Sequence, residues 1–597
     1  MKSRASFCNL ALLRRNLTRS SLIWLAYLLL WLVMLPANLI SNGSHLTVLS
    51  MQRLVLQQVE SSHVFSFFYG AMVAWFLFAY LCRGRSANFF SALPLRRETF
   101  FLTNYLSGLL CSLVPNFLIV GLTIFAGFSQ DANVILEAGI WFAAHSMTFL
   151  FYYSFAVLCA MVVGQIVAIP LLYGVLNLSA VVVESMVRTL DGSLVYGLAH
   201  STDFSFSWLS PLYYFLFEGS GPACKQIWQD GELTAIRFTG WTGLWAVTAV
   251  GFVFAAAAFW CYRRRRMEAA GDVMAVRHLR PVFRWCFTLG CTLVIGELLA
   301  SLLIDNLSTS YFYAISACLL VAAILGYFLS EVILSKSLRV FTKGNLLRCG
   351  ICCLALAALL IGCRLDVLNI ASYVPASDMV QGVILGGSEN AVENPEIIRE
   401  TIALQQEILG RQKETEQLVQ DADICSYFPI TYILKDGSTV RRNYYLPFDQ
   451  KISKDPDSLI RQYEDLSNEP AAILARENPG NFTVKDIDYC LITYVADETT
   501  GLMSSFDLST QEAMTLWEDG ILEDLKAGSL GKMNYTGFSD SQTYTTINIE
   551  LCLKDSARSD GDYETTYYGY SIPASATNTL RILKSLGLPE KAFRTVS

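Results

Sequence analysis

Charge is scarce in this chain. Asp, Glu, Lys and Arg together make up 16% of its 597 residues, where a soluble domain carries roughly 25%. Solubility along the whole length is thereby excluded. Histidine is scarcer still, with five residues widely scattered. The chain has no H-E-x-x-H to hold a catalytic zinc, no G-x-x-x-x-G-K-[ST] to cradle nucleotide phosphates and no G-x-S-x-G to seat a nucleophilic serine. A non-catalytic protein with no cofactor or metal of its own is expected. Cys349, Cys352 and Cys353 form a C-x-x-C-C cluster, but structural zinc takes four ligands and no second pair is near. These cysteines read as small, apolar-behaving side chains in a hydrophobic segment.

What charge there is falls unevenly. Residues 1–364 hold 25 Lys+Arg and 15 Asp+Glu, net +10, and residues 365–597 hold 19 and 36, net −17. The first part is rich in long apolar runs and the second is acidic and water-compatible. Crossing roughly 30 Å of hydrocarbon takes about 20 mainly apolar residues in a helix. Nine such stretches are read, at about 22–40, 63–82, 101–128, 139–162, 165–187, 241–261, 286–304, 311–335 and 349–364, the last being short. The first is too long, and lacks the small-residue cleavage site, for a removable signal peptide.

Orientation follows from Lys and Arg in the short connecting segments. With the N-terminus inside, segments 1–21, 83–100, 262–285 and 336–348 carry 20 basic residues; the outside loops carry 4. Nine spans then place the C-terminal part outside the cell.

Two of the basic segments hold more than charge. Arg83–Leu109 (RGRSANFFSALPLRRETFFLTNYLSGL) sets Phe89, Phe90 and Leu93 at helical spacing, flanked by Arg83, Arg85, Arg96 and Arg97. Pro94 disfavours helix at Leu93 and can open a new one. A short amphipathic helix, a break and the third span are expected. Cys261–Trp285 is dominated by basic residues, with Glu268 and Asp272 among them; it suits an anionic lipid surface or a docking partner equally.

The order of elements and these two segments resemble the permease subunits of ABC transporters of the type-2 exporter class found in Firmicutes. The residues that carry the likeness are Asn88–Gly108, with S-x-L-P-x-x-R at Ser91, Leu93, Pro94 and Arg97, and Tyr262–Val273, with Glu-Ala-Ala-Gly at Glu268–Gly271. Val162–Gln165 stands where such permeases turn between the fourth and fifth spans. The likeness covers about residues 1–285, a six-span permease core. Three additional spans (286–364) and the acidic domain (365–597) go beyond it. The resemblance implies separate ATPase subunits that bind ATP and magnesium on their own chains. It implies coupling through Phe89, Phe90, Leu93, Pro94, Arg96, Arg97 and Glu98, with a second cytoplasmic contact at Arg265, Glu268 and Gly271. It also implies a second permease chain, identical or sister. The cell membrane of a bacterium is the implied location and the lipid bilayer an obligatory partner. A receptor or sensor that presents its outer domain to a ligand is the alternative.

Three carboxylates lie in the spans. Glu297 is near the middle of the seventh, where an unpaired charge costs several kcal/mol; it marks an ion or substrate path or is held protonated by a neighbouring helix. Glu184 and Glu331, near span ends, are expected to snorkel. Aromatic-rich Ser207–Gly219 reads as an interfacial re-entrant hairpin.

The acidic part reads as folded α+β. Ile424–Leu434 and Thr439–Phe448 flank a Lys435-Asp436-Gly437-Ser438 turn, a strong hairpin pattern. Helices are expected at 395–420 and 455–467, the latter capped by Asp455 with Pro456 at its first position. The arrangement recurs with a helix at 509–528, strands Thr545–Lys554 and Tyr563–Pro573, and a helix at 575–586. Tyr444, Leu446 and Pro447 then match Tyr570, Ile572 and Pro573. Two related helix–hairpin–helix units are the expected architecture. Net charge of −17 keeps this part off nucleic acid and anionic lipid. Cys425, Cys490 and Cys552 allow at most one internal disulfide. A cysteine placed at Ser467 should be reachable from outside.

Overall fold

The computed structural model describes residues 8–42, 46–91, 96–199, 205–217, 222–229, 232–265, 268, 270–303, 311–388, 390–421, 425–447, 455, 457–497, 502–534, 544–554 and 565–596. Among them, nine helices are long and apolar enough to cross a membrane. This is the composition of a multi-pass membrane protein followed by a region of small sheets. In hydrocarbon every backbone N–H and C=O must be satisfied within the segment, so apolar runs of this length become helices.

A short helix, α1 (Leu10–Arg19), opens the chain, with Asn9 Oδ1 accepting from the Leu12 N–H at 3.0 Å. The first membrane helix is α2 (Ser21–Asn42), whose Pro36 sits in a wide π turn. Next come α3 (Val48–Glu60), α4 (Ser62–Cys82), α5 (Gly84–Ser91), α6 (Arg97–Ser129), α7 (Ile135–Val162) and α8 (Ala168–Leu194). The sequence Ser207–Gly219 forms no re-entrant hairpin in its described part. It is a one-turn 3-10 segment and a short helix, α9 (Pro211–Phe217). An antiparallel hairpin follows, β1 (Ala223–Gln229) and β2 (Glu232–Thr239), which packs on α3. The last four membrane helices are α10 (Trp241–Arg264), α11 (Arg280–Leu303), α12 (Tyr311–Ser335) and α13 (Lys343–Arg364).

Two of these begin six residues before the apolar run suggests. Arg280 and Arg284 lie in the first turns of α11, and Lys343 and Arg348 in those of α13. A charged side chain ends a hydrophobic stretch but does not end a hydrogen-bond ladder. The ninth helix is consequently of full length, 22 residues.

Residues of α2, α4, α6, α7 and α10 make the main core, filled by large rings such as Trp31, Trp141, Tyr152 and Tyr153. A smaller cluster joins α8, α11, α12 and α13 through Leu190, Leu293, Ala300, Leu319 and Leu360. There α11 and α12 pack closely because Gly296 faces Leu319 and Gly326 faces Cys291.

The C-terminal region holds two sheets of matching topology. In the first, β3 (Val380–Leu385) is followed by α14 (Pro395–Gly410) and α15 (Gln412–Asp421), the hairpin β4 (Cys425–Leu434) and β5 (Thr439–Pro447), then α16 (Leu459–Ser467) and α17 (Pro470–Glu477). The order is β3-β4-β5, all antiparallel. In the second, β6 (Ile487–Asp497) and β7 (Leu502–Leu508) precede α18 (Thr510–Leu516) and α19 (Leu522–Lys526). The hairpin β8 (Tyr544–Lys554) and β9 (Thr565–Pro573) follows, then α20 (Thr577–Ser585) and a terminal β10 (Thr595–Val596). There β6 pairs β7 and β8, and β8 pairs β9 and β10. Each unit thus has a strand, a helical stretch, a hairpin whose first strand lies beside that leading strand, and a closing helix.

Buried positions correspond as well. Phe428, Ile430 and Tyr432 of β4 match Ile549, Leu551 and Leu553 of β8, Leu385 of β3 matches Cys490 of β6, and Tyr444 and Leu446 match Tyr570 and Ile572. The leading strands β3 and β6 are additions to the expected helix–hairpin–helix pattern. The cap of α16 is Ser458, accepting from Arg461 N, rather than Asp455; Pro456 lies outside the described residues. Ser467 is fully buried, so it is not a surface position. Among the described residues, Cys425, Cys490 and Cys552 form no disulfide.

Candidate functional site

The residues singled out by sequence gather at the end of the helix bundle that carries α1. At this end α5 runs beside the close of α4, and its two phenylalanines part ways. Successive residues on a helix lie about 100° apart. Phe90 turns inward against Tyr80 (5.0 Å between ring centroids) and Phe100 (5.5 Å). Phe89 turns outward and is 58% exposed. The two do not share a face: Phe90 anchors the helix, and Phe89, edge-on to it at 5.5 Å between centroids, lies at the surface. Leu93 and Pro94 lie outside the described residues. Arg96, exposed, precedes α6 and its carbonyl accepts the Phe100 N–H at 3.0 Å. Glu98 is ion-paired with Arg263 at 3.3 Å, both half-exposed.

Arg265 behaves differently from its basic neighbours. It is 2% exposed. Its guanidinium donates to the carbonyls of Ala160 (2.7 Å) and Met161 (3.0 Å) at the close of α7, and to that of Leu81 (3.0 Å) at the close of α4. Arg97 in turn reaches the Arg265 carbonyl at 3.4 Å. The last carbonyls of a helix lack intrahelical partners and carry its negative pole, and the planar guanidinium fork suits several acceptors at once. Burial lowers the Arg265 pKa from its ordinary value. Arg265 is therefore a tie between two helix ends and offers no surface to a partner.

The chain after it is stitched to the turn between α7 and α8. Gly271, at φ +95°, donates to the Gly164 carbonyl at 2.7 Å and accepts from the Gln165 side chain at 3.2 Å. Ala275 donates to Val162 at 2.8 Å, and Val163 bridges Met274. Lys336, beyond α12, pairs with Asp272 at 3.1 Å, as does Arg280 at 3.0 Å. Glu268 is exposed. This end is a tied plate formed by the ends of α4, α7, α10 and α12, from which Phe89, Arg96 and Glu268 project.

The intramembrane carboxylates separate into different cases. Glu331 is buried and ion-paired with Arg284, so it does not snorkel. Glu184 pairs with Arg188 and accepts from Ser205 and from the Phe206 N–H, which fastens a loop. Glu297 is half-buried, and its Oε1 is buried with no hydrogen-bond partner among the described residues.

A polar knot in the core had no sequence signal. Tyr27 of α2 meets Asn116 of α6 at 2.7 Å and His145 of α7 at 2.6 Å. Trp31 and Trp141 pack their rings against that imidazole. These residues are separated by up to 118 positions, and no local spacing links them.

At the other end, the chain leaving α8 reaches the first C-terminal sheet. Leu198 bridges Arg442 of β5, and Asn443 donates to the Gly197 carbonyl at 3.1 Å. Tyr196 packs on Tyr444 with centroids 5.6 Å apart. Gly197, at φ +68°, lies so close that a Cβ would be 2.1 Å from the Tyr444 ring. A second fastening joins Arg364, at the close of α13, to Glu416 of α15 by two bonds of 3.0 Å. Although burial raises the Glu416 pKa, the bonds from Arg364 and Gln412 hold it below the usual carboxylate range.

No protein-family model, curated protein or solved structure matches the chain.

Proposed function

We propose that this chain is the membrane-spanning permease subunit of an ATP-driven transporter of the type-2 ABC exporter class, powered by separate ATPase subunits. The observation that carries the reading is α5. It is a short helix between the second and third membrane helices, pinned by Phe90 and presenting Phe89 beside basic side chains. A partner that delivers force needs a rigid apolar knob on a stiff base. Phe89 is such a knob, and the plate tied by Arg265 is such a base. The bias in basic residues supports a cytoplasmic position for this end, with the acidic region outside, and the resemblance to type-2 exporter permeases supports a bacterial cell. ATP and magnesium belong to the partner, and a second permease chain completes the pathway.

The test is a pull-down of the tagged chain from detergent-solubilised native membranes, with mass spectrometry of what accompanies it. A stoichiometric P-loop ATPase is expected. Phe89→Asp should remove at least nine-tenths of it while membrane insertion is unchanged. Intact protein with no ATPase overturns the proposal.

The alternative is a sensor that passes ligand binding to the helix bundle without transport. The seating of Tyr196–Leu198 on β5 favours it, since that contact links the end of α8 to the outer region. A sensor predicts equal partner recovery with Phe89 and with Asp at that position.

A further inference from the structure

The short helix α1 has one face seated and one face open. On the seated side the Asn9 N–H donates to Thr103 Oγ1 at 3.1 Å, the Asn16 amide donates to Asn104 Oδ1 at 2.7 Å and to Ser107 Oγ at 3.1 Å, and Leu12 is buried. These bonds fix α1 on α6. On the open side Leu10, Leu13 and Leu17 recur at helical spacing, with Arg14 and Thr18 beside them. Ser20, at ψ 11°, lies between α1 and α2, and the Trp24 indole N–H donates to the Leu17 carbonyl at 3.1 Å across this junction. Among the described residues, a mainly apolar groove of about 540 Å³ is lined there by Leu10, Leu13, Leu17 and Trp24, with Arg14 and Thr18.

We infer that this groove binds an anionic phospholipid, with one acyl chain along Leu10, Leu13, Leu17 and Trp24 and the phosphate on the Arg14 guanidinium. Two observations identify the occupant. Just beyond the groove, Leu22, Leu25 and Leu29 of α2 are exposed; an apolar membrane helix gives such a face to hydrocarbon chains, so the groove opens where lipid already lies. The charge is also one-sided. No Asp or Glu occurs before Glu60, while residues 1–21 carry five Lys and Arg, and Arg14 and Arg15 are exposed. Basic residues beside a membrane attract anionic headgroups, and an arginine stem can cover apolar surface while its fork meets a phosphate. A water-soluble partner would match the charge but would have to displace lipid to reach the leucines. The inference is independent of ATP-driven transport, since it requires only that α2 crosses a bilayer.

The probe is phosphatidylglycerol with a photoreactive diazirine in its acyl chain, mixed with phosphatidylcholine in nanodiscs around the full chain. After irradiation, mass spectrometry of peptides should place label on Leu10–Trp24 at least fivefold above that left there by the matching phosphatidylcholine probe. Arg14 is exposed, so Arg14→Gln should fold with an unchanged Tm and lower the phosphatidylglycerol label at least threefold. Thr18→Trp, which fills the groove from another exposed position, should lower the label from both probes. Equal labelling by the two probes, or equal labelling of Arg14→Gln and the parent chain, overturns the inference. In native membranes a benzophenone side chain at the exposed Leu10 should cross-link lipid. A cross-link in its place to an ATPase, to a second copy of the chain or to the chain's own first seven residues also overturns it.

Discussion

Arg265 sits in a run of four arginines that reads, from sequence, as a positive stop after the sixth membrane helix. The run hides a division of labour. Arg263 pairs with Glu98 near the surface and Arg264 lies 4.0 Å from the centroid of the Trp260 ring, while Arg265 is turned inward onto three carbonyls. Its removal would leave those buried acceptors without charged donors. Arg265→Met is therefore expected to destabilise the chain by roughly 3 kcal/mol, seen as a clear fall in Tm in detergent. Arg265→Lys, with one ammonium in place of a planar fork, should recover only part of the loss. Equal Tm for Arg265→Met and the parent chain would mean the tie holds nothing. Sequence placed this residue in the right segment but on the wrong side, because net charge reports which end of a helix faces water and not which side chain turns back. The pairing of Tyr27 with His145 was beyond reach for a related reason: only packing brings α2 and α7 together.

Among elements, the hairpin of β4 and β5 was the most legible. Its strands alternate, and its turn carries Gly437 at φ +84° and Asp436, whose carboxylate accepts from Ser438 N at 2.9 Å. By contrast β3 passed unnoticed because Gly382 interrupts a short apolar run. That glycine is there for space: a Cβ would lie 2.9 Å from the Ala391 Cβ. Nor did any composition cue mark Tyr196–Leu198 as an extra partner of β5. Its seat on Tyr444 makes a sharp prediction. Gly197→Val brings both a disfavoured φ and a clash with the ring, so the segment should lift away. Hydrogen exchange at Asn443 N–H should rise at least tenfold, with β4 and the second sheet unaffected. Unchanged protection at Asn443 would show the contact to be dispensable.

For the whole molecule, the nine apolar helices found among the described residues and the split into a helical part and an acidic part with sheets were readable from hydropathy and charge. The sides of the membrane were readable only as a bias in basic residues, and they are open to direct measurement. Ser467 is a poor reporter because it is buried; Lys435, in the exposed turn of the first hairpin, is a good one. Lys435→Cys should react with impermeant maleimide on intact cells, above the background of the parent chain. Reaction only after lysis would put the acidic region in the cytoplasm and reverse the orientation. The seating of Gly197 on β5 also bears on how the chain is made. Asn443 emerges from the ribosome roughly 250 residues after Gly197, a delay of roughly 10–50 s at ordinary rates of synthesis. Through that interval the end of α8 waits with its tyrosine unmatched while four more membrane helices are inserted. Completion of the first sheet is thus the event that closes the ring of chain around them, and a nascent protein truncated before β5 would leave Tyr196 and the edge of β4 that β5 covers open to any chaperone at the membrane surface.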